Sequence, residues 1–397
     1  MPKKIYTIEI EPLTGVHIGT GEKLTPIDYT VVALKNKKEM YLKFSSDKIL
    51  DRLISEGSDL SAFYTASDNR NMKALRGFFH THLTKSGDID YPCDVTAGFL
   101  QAYTRNKNKD PLENAAEVLQ MYRPAGSKQP VIPGSSLKGA IRTAVLNQIL
   151  SNLSNAAYDT EYDNLHGNLT DAEKALQKTL LMSSNEKNDP FRTVLIEDTV
   201  FEPKNTQLVG LLKNISASND ELIPLQLQLQ AEVLRGTLIG GSAKAYTHLI
   251  IDEGLQRASI AENKGKKNQA FRFNKAISMG DIAKACNYFF MREFKNEYGA
   301  FYGDSDDRIA IIKKLKDELD KIDARKDTVS NAAGCFMIRV GRWSQVEFVT
   351  LEKNFRQPKV PTKGGKSRES GTTRTVFDYD GEYVPLGWCK CTYTEQK

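Results

Sequence analysis

Residues 225–230 read LQLQLQ. Leucine and glutamine alternate without a break, the period of a strand that buries one face and hydrates the other. The run continues into AEVLRGTLIGG, so a long strand is expected from 225 onward. A polar stretch, SASNDE at 216–221, precedes it and sets an expected boundary between two units, 1–215 and 222–397. A chain of 397 residues is long enough for two such units.

Other segments alternate too. KIYTIEIEPLT at 4–14 reads as a strand, as do stretches near 28–34, 39–44, 191–201, 205–214, 336–340, 345–352 and 387–394. Helical spacing appears at 46–56, 69–84, 136–152, 171–183, 278–295 and 306–325, while 104–114 is polar and loop-like. Strands and helices are mixed without a strict βαβ rhythm. An α+β architecture is therefore expected over a doubly wound one.

PGSSLKGAIRTA at 133–144 carries the first chemistry. Pro133 and Gly134 punctuate the chain, and Ser135 or Ser136 is an expected N-cap. Leu137, Ile141, Ala144, Val145 and Ile149 then recur at helical spacing. A helix start exposes unpaired N–H groups, and Lys138 and Arg142, four apart, add two cations to one face. That arrangement suits a phosphate. It is not a Walker A loop: Gly134 and Gly139 have the spacing, but Ala140 follows the second glycine and Lys138 falls one residue early. An ordinary capped helix with a solvated basic face explains the same residues.

The net charge is mild, 55 − 50 = +5, but it is unevenly spread. Residues 256–275 hold six Lys or Arg against one Glu, and 353–374 hold seven against one. Both segments lack a period and contain Gly, Asn, Ser or Pro, so they are expected to be basic loops that serve a polyanion or stay solvated. No apolar run reaches the length of a membrane span, and MPKKIYTIEIEPL has no signal-peptide core. Cysteines 93, 286, 335, 389 and 391 form no zinc pattern. Free thiols and a reducing, cytoplasmic setting without membrane contact are expected, with no cofactor and no metal.

Two further stretches stand out, one rich in glycine and one a glycine-and-basic turn. HIGTGE at 17–22 follows a strand, with Gly15, Gly19 and Gly21 placed to let a backbone approach a ligand, or simply to turn. His17 has no nucleophile or second histidine near it in sequence, so it is either structural or a general base. RVGRWSQVEF at 339–348 offers Arg339 and Arg342 to a phosphate and Trp343 to a base. The alternative is a hairpin whose tryptophan packs on the core. Asp28, in TPIDY, is an isolated carboxylate, and IED at 196–198 is a strand-end acidic pair.

PGSSLKGAIRTA, matched upstream by LTGVHIGTGEKLTPIDYTV, resembles the signature pair of the RAMP proteins of CRISPR–Cas systems. VLIEDTVF and EVLRGTLIGG sit where RAMP proteins have comparable strands, and RVGRW resembles a reduced form of the family's late glycine-rich loop, with one glycine where several are usual. The opening looks most like the end-capping subunit of type III-A (Csm) effector complexes. The resemblance implies an α+β fold of tandem ferredoxin-like (RRM-type) RAMP modules with helical and loop insertions. It implies a non-catalytic subunit that binds crRNA near its 3′ end, with target RNA, a RAMP backbone subunit and 3′-trimming nucleases as possible partners. By motif match, the backbone of 134–139 with Lys138 and Arg142 would hold guide phosphates, and His17, Gly19 and Gly21 would lie close by. Asp28 falls near the position of the aspartate with which the backbone subunits cut target RNA. An RNA-cleaving alternative would use Asp28 with a metal, or His17 without one.

Overall fold

The computed structural model describes residues 3–34, 38–107, 109, 117–152, 189–203, 206–218, 221–257, 276–303, 307–352, 360–361, 367–368 and 371–396. The first expected strand forms over Lys3–Pro12, and its alternation becomes burial: Tyr6, Ile8 and Ile10 are buried, while Thr7, Glu9 and Glu11 stay partly exposed. It lies between Ala245–Asp252 and Trp388–Glu395, antiparallel to both. Val194–Ile196 extends the sheet on one side and Ala333–Arg339 on the other. Lys3–Pro12, Val194–Ile196, Ala245–Asp252 and Trp388–Glu395, taken in chain order, lie in the spatial order 4-1-3-2 of a ferredoxin-like sheet. Ala333–Arg339 is an added edge.

Helices Gly134–Ser151 and Met279–Glu297 cover the buried face. Leu137, Ile141 and Ala144 of one and Ile282, Cys286 and Phe289 of the other share a core with Tyr6, Ile8 and Ile10. Trp388 is fully buried and meets Phe290, Phe294 and Phe348 edge-on. Each such side chain contributes roughly 1.5–3 kcal/mol on burial, so this core sets the positions of both helices.

The second sheet, nine-stranded among the described residues, is mixed and built on the long hairpin Gln207–Ser218 with Glu221–Leu234. The strand expected from LQLQLQ is its second arm. Ile89–Val95 pairs parallel with the first arm and Val118–Met121 parallel with the second, and Gly19–Leu24 pairs antiparallel with Val118–Met121. Tyr29–Ala33 and Glu39–Phe44 continue past Ile89–Val95, and Arg374–Tyr379 branches from the hairpin. Ser218 pairs with Glu221, so the polar stretch expected to separate two units falls inside a hairpin. Each sheet draws strands from both sides of it. A polar break between two alternating runs is as much a hairpin signal as a linker signal.

Other local expectations shift. The helix expected over 69–84 begins at Met72, where Asn71 accepts from the Ala74 N–H, and a separate helix, Ser61–Asp68, precedes it. HIGTGE, whose glycines could equally have marked a turn, leads into a strand, Gly19–Leu24. The strand expected at 345–352 is a short 3-10 turn, Val346–Phe348, because Trp343 and Gln345 adopt positive φ and reverse the chain just before it. All five cysteines are free thiols. The helix expected at 171–183 and most of both basic segments lie outside the described residues.

Candidate nucleic-acid interface

The helix expected from PGSSLKGAIRTA begins at Gly134, and neither Ser135 nor Ser136 caps it. Its cap comes from elsewhere: Asp198 Oδ1 accepts from the Gly134 N–H at 2.8 Å. The segment that leads from strand Val194–Ile196 to Asp198 passes so close that a Cβ at position 134 would lie 2.1 Å from the Ile196 carbonyl oxygen, so only glycine fits. Asp198 thereby satisfies one of the helix's orphan donors and faces its positive end. A protein carboxylate stands where the spacing had suggested a phosphate at the first N–H.

The two cations of this helix are also partnered differently than expected. Arg142 forms an ion pair with Asp189 at 2.6 Å and lies over the Phe191 ring at 5.3 Å. Lys138 stands in the same field, and partial burial lowers its pKa, opposed by Asp189 and aided by Arg142. At 3.6 residues per turn, both fall on a flank of the helix. Its small residues, Ser135, Ser136, Gly139 and Thr143, line an open groove of ≈ 620 Å³.

The opposite wall joins the other two motifs. Gly19 and Gly21 line it together with Gly341 and Arg342. The Arg342 N–H donates to the His17 carbonyl at 2.9 Å, and Gly341, at φ +90°, packs so close that a Cβ would sit 2.5 Å from that same oxygen. Three segments distant in sequence thus meet in one groove. Arg342 is exposed and lies 5.1 Å over the Trp343 ring.

Arg339 and Trp343 depart from expectation. The Arg339 guanidinium is buried, paired with Glu297 at 2.8 Å and donating to the Leu386 carbonyl at 2.8 Å. It holds the turn in place instead of offering a charge to solvent. Trp343 packs against the core of the second sheet and its ring faces His17 at 4.9 Å. The tryptophan packs on the core as the alternative expected, although no hairpin forms there, and the ring does not line the groove.

His17 is fully buried, and its Nδ1 donates to the Glu232 carbonyl at 2.7 Å. Glu232 is itself a buried hub. Its carboxylate accepts from Arg123 at 2.7 Å, from Tyr91 at 2.9 Å and from the Met121 N–H at 3.0 Å, and Arg123 stacks 3.6 Å over Tyr91. Sequence reasoning missed this network, although Glu232 is the one acidic residue in the polar phase of LQLQLQAEV. Burial pushes the His17 imidazole down from its ordinary 6.5 to about 4, against the opposing pull of Glu232. The folded state therefore keeps His17 neutral while the unfolded state protonates it below pH 6.5. Stability from this group is present above pH 6.5 and is lost as pH falls toward 4. Between pH 7.5 and 5, urea unfolding should show about 2 kcal/mol lost through His17. The loss should vanish from the His17→Phe difference between the two pH values.

Asp28 Oδ2 accepts from both the backbone N–H and the hydroxyl of Thr25, at 2.8 and 2.9 Å. It closes the TPID turn, so Asp28→Ala should lower stability by about 1–2 kcal/mol in the same unfolding assay. Among the described residues, no three His, Cys, Asp or Glu side chains cluster as a metal site, and no helix is long and apolar enough to cross a membrane.

Residues 9–341 match the RAMP superfamily model. A curated relative, the CRISPR system Cms protein Csm5 of Streptococcus thermophilus, is 27% identical over 228 residues, which span 56% of this chain and 59% of that protein. The chain thus covers less than two thirds of that relative's length. Among solved structures, a chain in the cryo-EM structure of a Csm–crRNA–target RNA ternary complex of a type III-A CRISPR-Cas system superposes with a TM-score of 0.61. It is 18% identical, with 98% of this chain and 100% of that one covered. The crystal structure of T. onnurineus Csm5 gives 0.56 at 17% identity, covering 96% and 99%. At these identities the structural likeness concerns the fold, and both matches extend over nearly the whole chain.

Proposed function

The chain belongs to the RAMP superfamily, and from that premise we propose that it is a crRNA-binding subunit that caps the backbone filament of a type III-A CRISPR effector complex near the guide's 3′ end, without cutting RNA. The observation that carries this reading is the groove in which HIGTGE, PGSSLKGA and RVGRW converge. Its walls combine glycines, small hydroxyl residues and the exposed Arg342 with the apolar Ile18, Ala140, Val340 and Val349, a lining of mostly short side chains that lets a sugar–phosphate backbone approach closely. The similarity to Csm5 proteins and to a chain of a crRNA-bound Csm complex supports the same role. Target RNA then meets the subunit through the guide. Trimming of the guide's 3′ end falls to separate nucleases that this subunit helps to position.

Binding of this kind is electrostatic and tolerant of sequence. In the groove Arg342 supplies the charge, with Lys138 on the adjoining flank; Arg142 is less available because Asp189 holds it. Fluorescence anisotropy of full-length protein with a crRNA-length RNA, from 50 to 200 mM salt on the order used for such slopes, tests the assignment. Replacing Lys138 and Arg342 together by alanine should weaken binding and reduce the salt slope by about 1.4. An unchanged slope removes these residues from the interface. No RNA binding by the wild-type chain would favour a purely protein-binding cap.

A further inference from the structure

His17 presents a chemical constraint that a phosphate does not meet. Its Nδ1 faces a carbonyl oxygen and must carry the proton, which leaves Nε2 as a bare acceptor in the neutral ring. That Nε2 is buried and has no hydrogen-bond partner in the chain. An unpartnered buried acceptor is costly, and a ligand donor would recover that cost. Nε2 lies against Gly19, on the groove wall: a Cβ there would sit 3.0 Å from Nε2, closer than to any other atom outside its chain neighbours. Gly19 is therefore the thinnest cover that this atom can have.

The cover also lies at an irregularity of the sheet. The strand Gly19–Leu24 pairs with Val118–Met121 at Gly19, Lys23 and Leu24, and the register jumps between Gly19 and Lys23. The intervening residues are exposed and Gly21 sits at φ +88°. A bulge of this type re-aims backbone without breaking the sheet.

Building on the reading of the groove as a guide-RNA site, we propose that His17 Nε2 accepts a hydrogen bond from a ribose 2′-hydroxyl, reached over Gly19, and so makes the groove selective for RNA over DNA. A phosphate oxygen has no proton to give. Base amines do, but only at some bases, whereas the groove's other contacts are indifferent to sequence. The 2′-hydroxyl is the donor present at every nucleotide and absent from DNA. His17 acts here as a specificity-determining residue, held in the required tautomer by the Glu232 carbonyl.

The experiment compares RNA and DNA of one sequence, binding full-length protein at one salt concentration. Wild type should prefer RNA by roughly tenfold, the worth of one hydrogen bond to a neutral group. His17→Phe keeps a ring beside Trp343 and removes the acceptor; it should bind RNA as weakly as DNA, with DNA affinity unchanged. A series of RNAs with single 2′-deoxy substitutions tests the idea on unaltered protein. One position should cost several-fold more than its neighbours, and that penalty should be absent with His17→Phe. A flat deoxy series, or an RNA preference that survives His17→Phe, overturns the proposal. Arg342→Ala separates the two levels. If it leaves affinity for both polymers unchanged, the groove is not the site; if it weakens both equally while the deoxy series is flat, the groove stands and His17 has no such role.

Discussion

Glu297→Ala should destabilise the chain by about 3–5 kcal/mol in urea unfolding. Glu297 divides its carboxylate between two buried guanidinium groups, Oε2 to Arg339 and Oε1 to Arg374, each at 2.8 Å. The Glu297 and Arg339 side chains are 1% and 0% exposed, so solvent cannot replace the lost partner. Arg374 would retain Glu347 at 3.0 Å. Arg339 would be left with the Leu386 carbonyl and the ring faces of Phe348 at 4.3 Å and Trp388 at 5.3 Å. An uncompensated buried charge is the expensive outcome, more so than loss of the pair as a whole. Glu297→Leu combined with Arg339→Met should accordingly be more stable than Glu297→Ala alone. A cost near zero for Glu297→Ala would mean that the network under the RVGRW turn contributes nothing to holding it.

Gly134→Ala should cost about 3 kcal/mol and also weaken RNA binding. The added methyl meets backbone, not a flexible side chain: the Ile196 carbonyl oxygen at 2.1 Å and the Glu197 carbonyl oxygen at 2.9 Å. Either strand Val194–Ile196 or the start of the helix must move. Overpacking of this kind costs roughly 1–3 kcal/mol, and moving the two apart also lengthens the Asp198 cap, worth about 1 more. Because the same helix carries Ser135, Ser136 and Gly139 into the groove, the displacement reaches the binding surface. Gly139→Ala is the control on the same helix. A Cβ there meets nothing within 4 Å, so stability should change by less than about 1 kcal/mol and in the favourable direction.

Much of this architecture was legible because period and burial coincide. Lys3–Pro12 alternates in sequence and in exposure, and Leu137, Ile141 and Ala144 fall on the core side of their helix as their spacing requires. The RAMP resemblance, resting on PGSSLKGAIRTA and HIGTGE, agrees with the family match over residues 9–341. What could not be read was which charges the fold would consume. Arg339 and Arg342 flank one glycine and look equivalent in sequence, yet one is sealed against Glu297 and the other is exposed. Asp189, Asp198 and Glu297 decide the roles of Arg142, Gly134 and Arg339 from positions far along the chain. No local pattern announces such partners. The polar stretch at 216–221 misled for a related reason: composition marks a place where the chain turns, not whether the two arms then pair.

The pairing of Lys3–Pro12 with both Ala245–Asp252 and Trp388–Glu395 also sets a timetable for synthesis. At about 5–20 residues per second, the central strand of the first sheet leaves the ribosome on the order of 20–80 s before its last neighbour is made. Ala245–Asp252 arrives earlier and can occupy one edge, but the other edge stays open until translation reaches the final strand. For that interval the nascent chain carries a half-built sheet with a row of unsatisfied backbone groups. A ribosome stall beyond residue 252 would lengthen that exposure, and chaperone demand should rise with the duration of the stall.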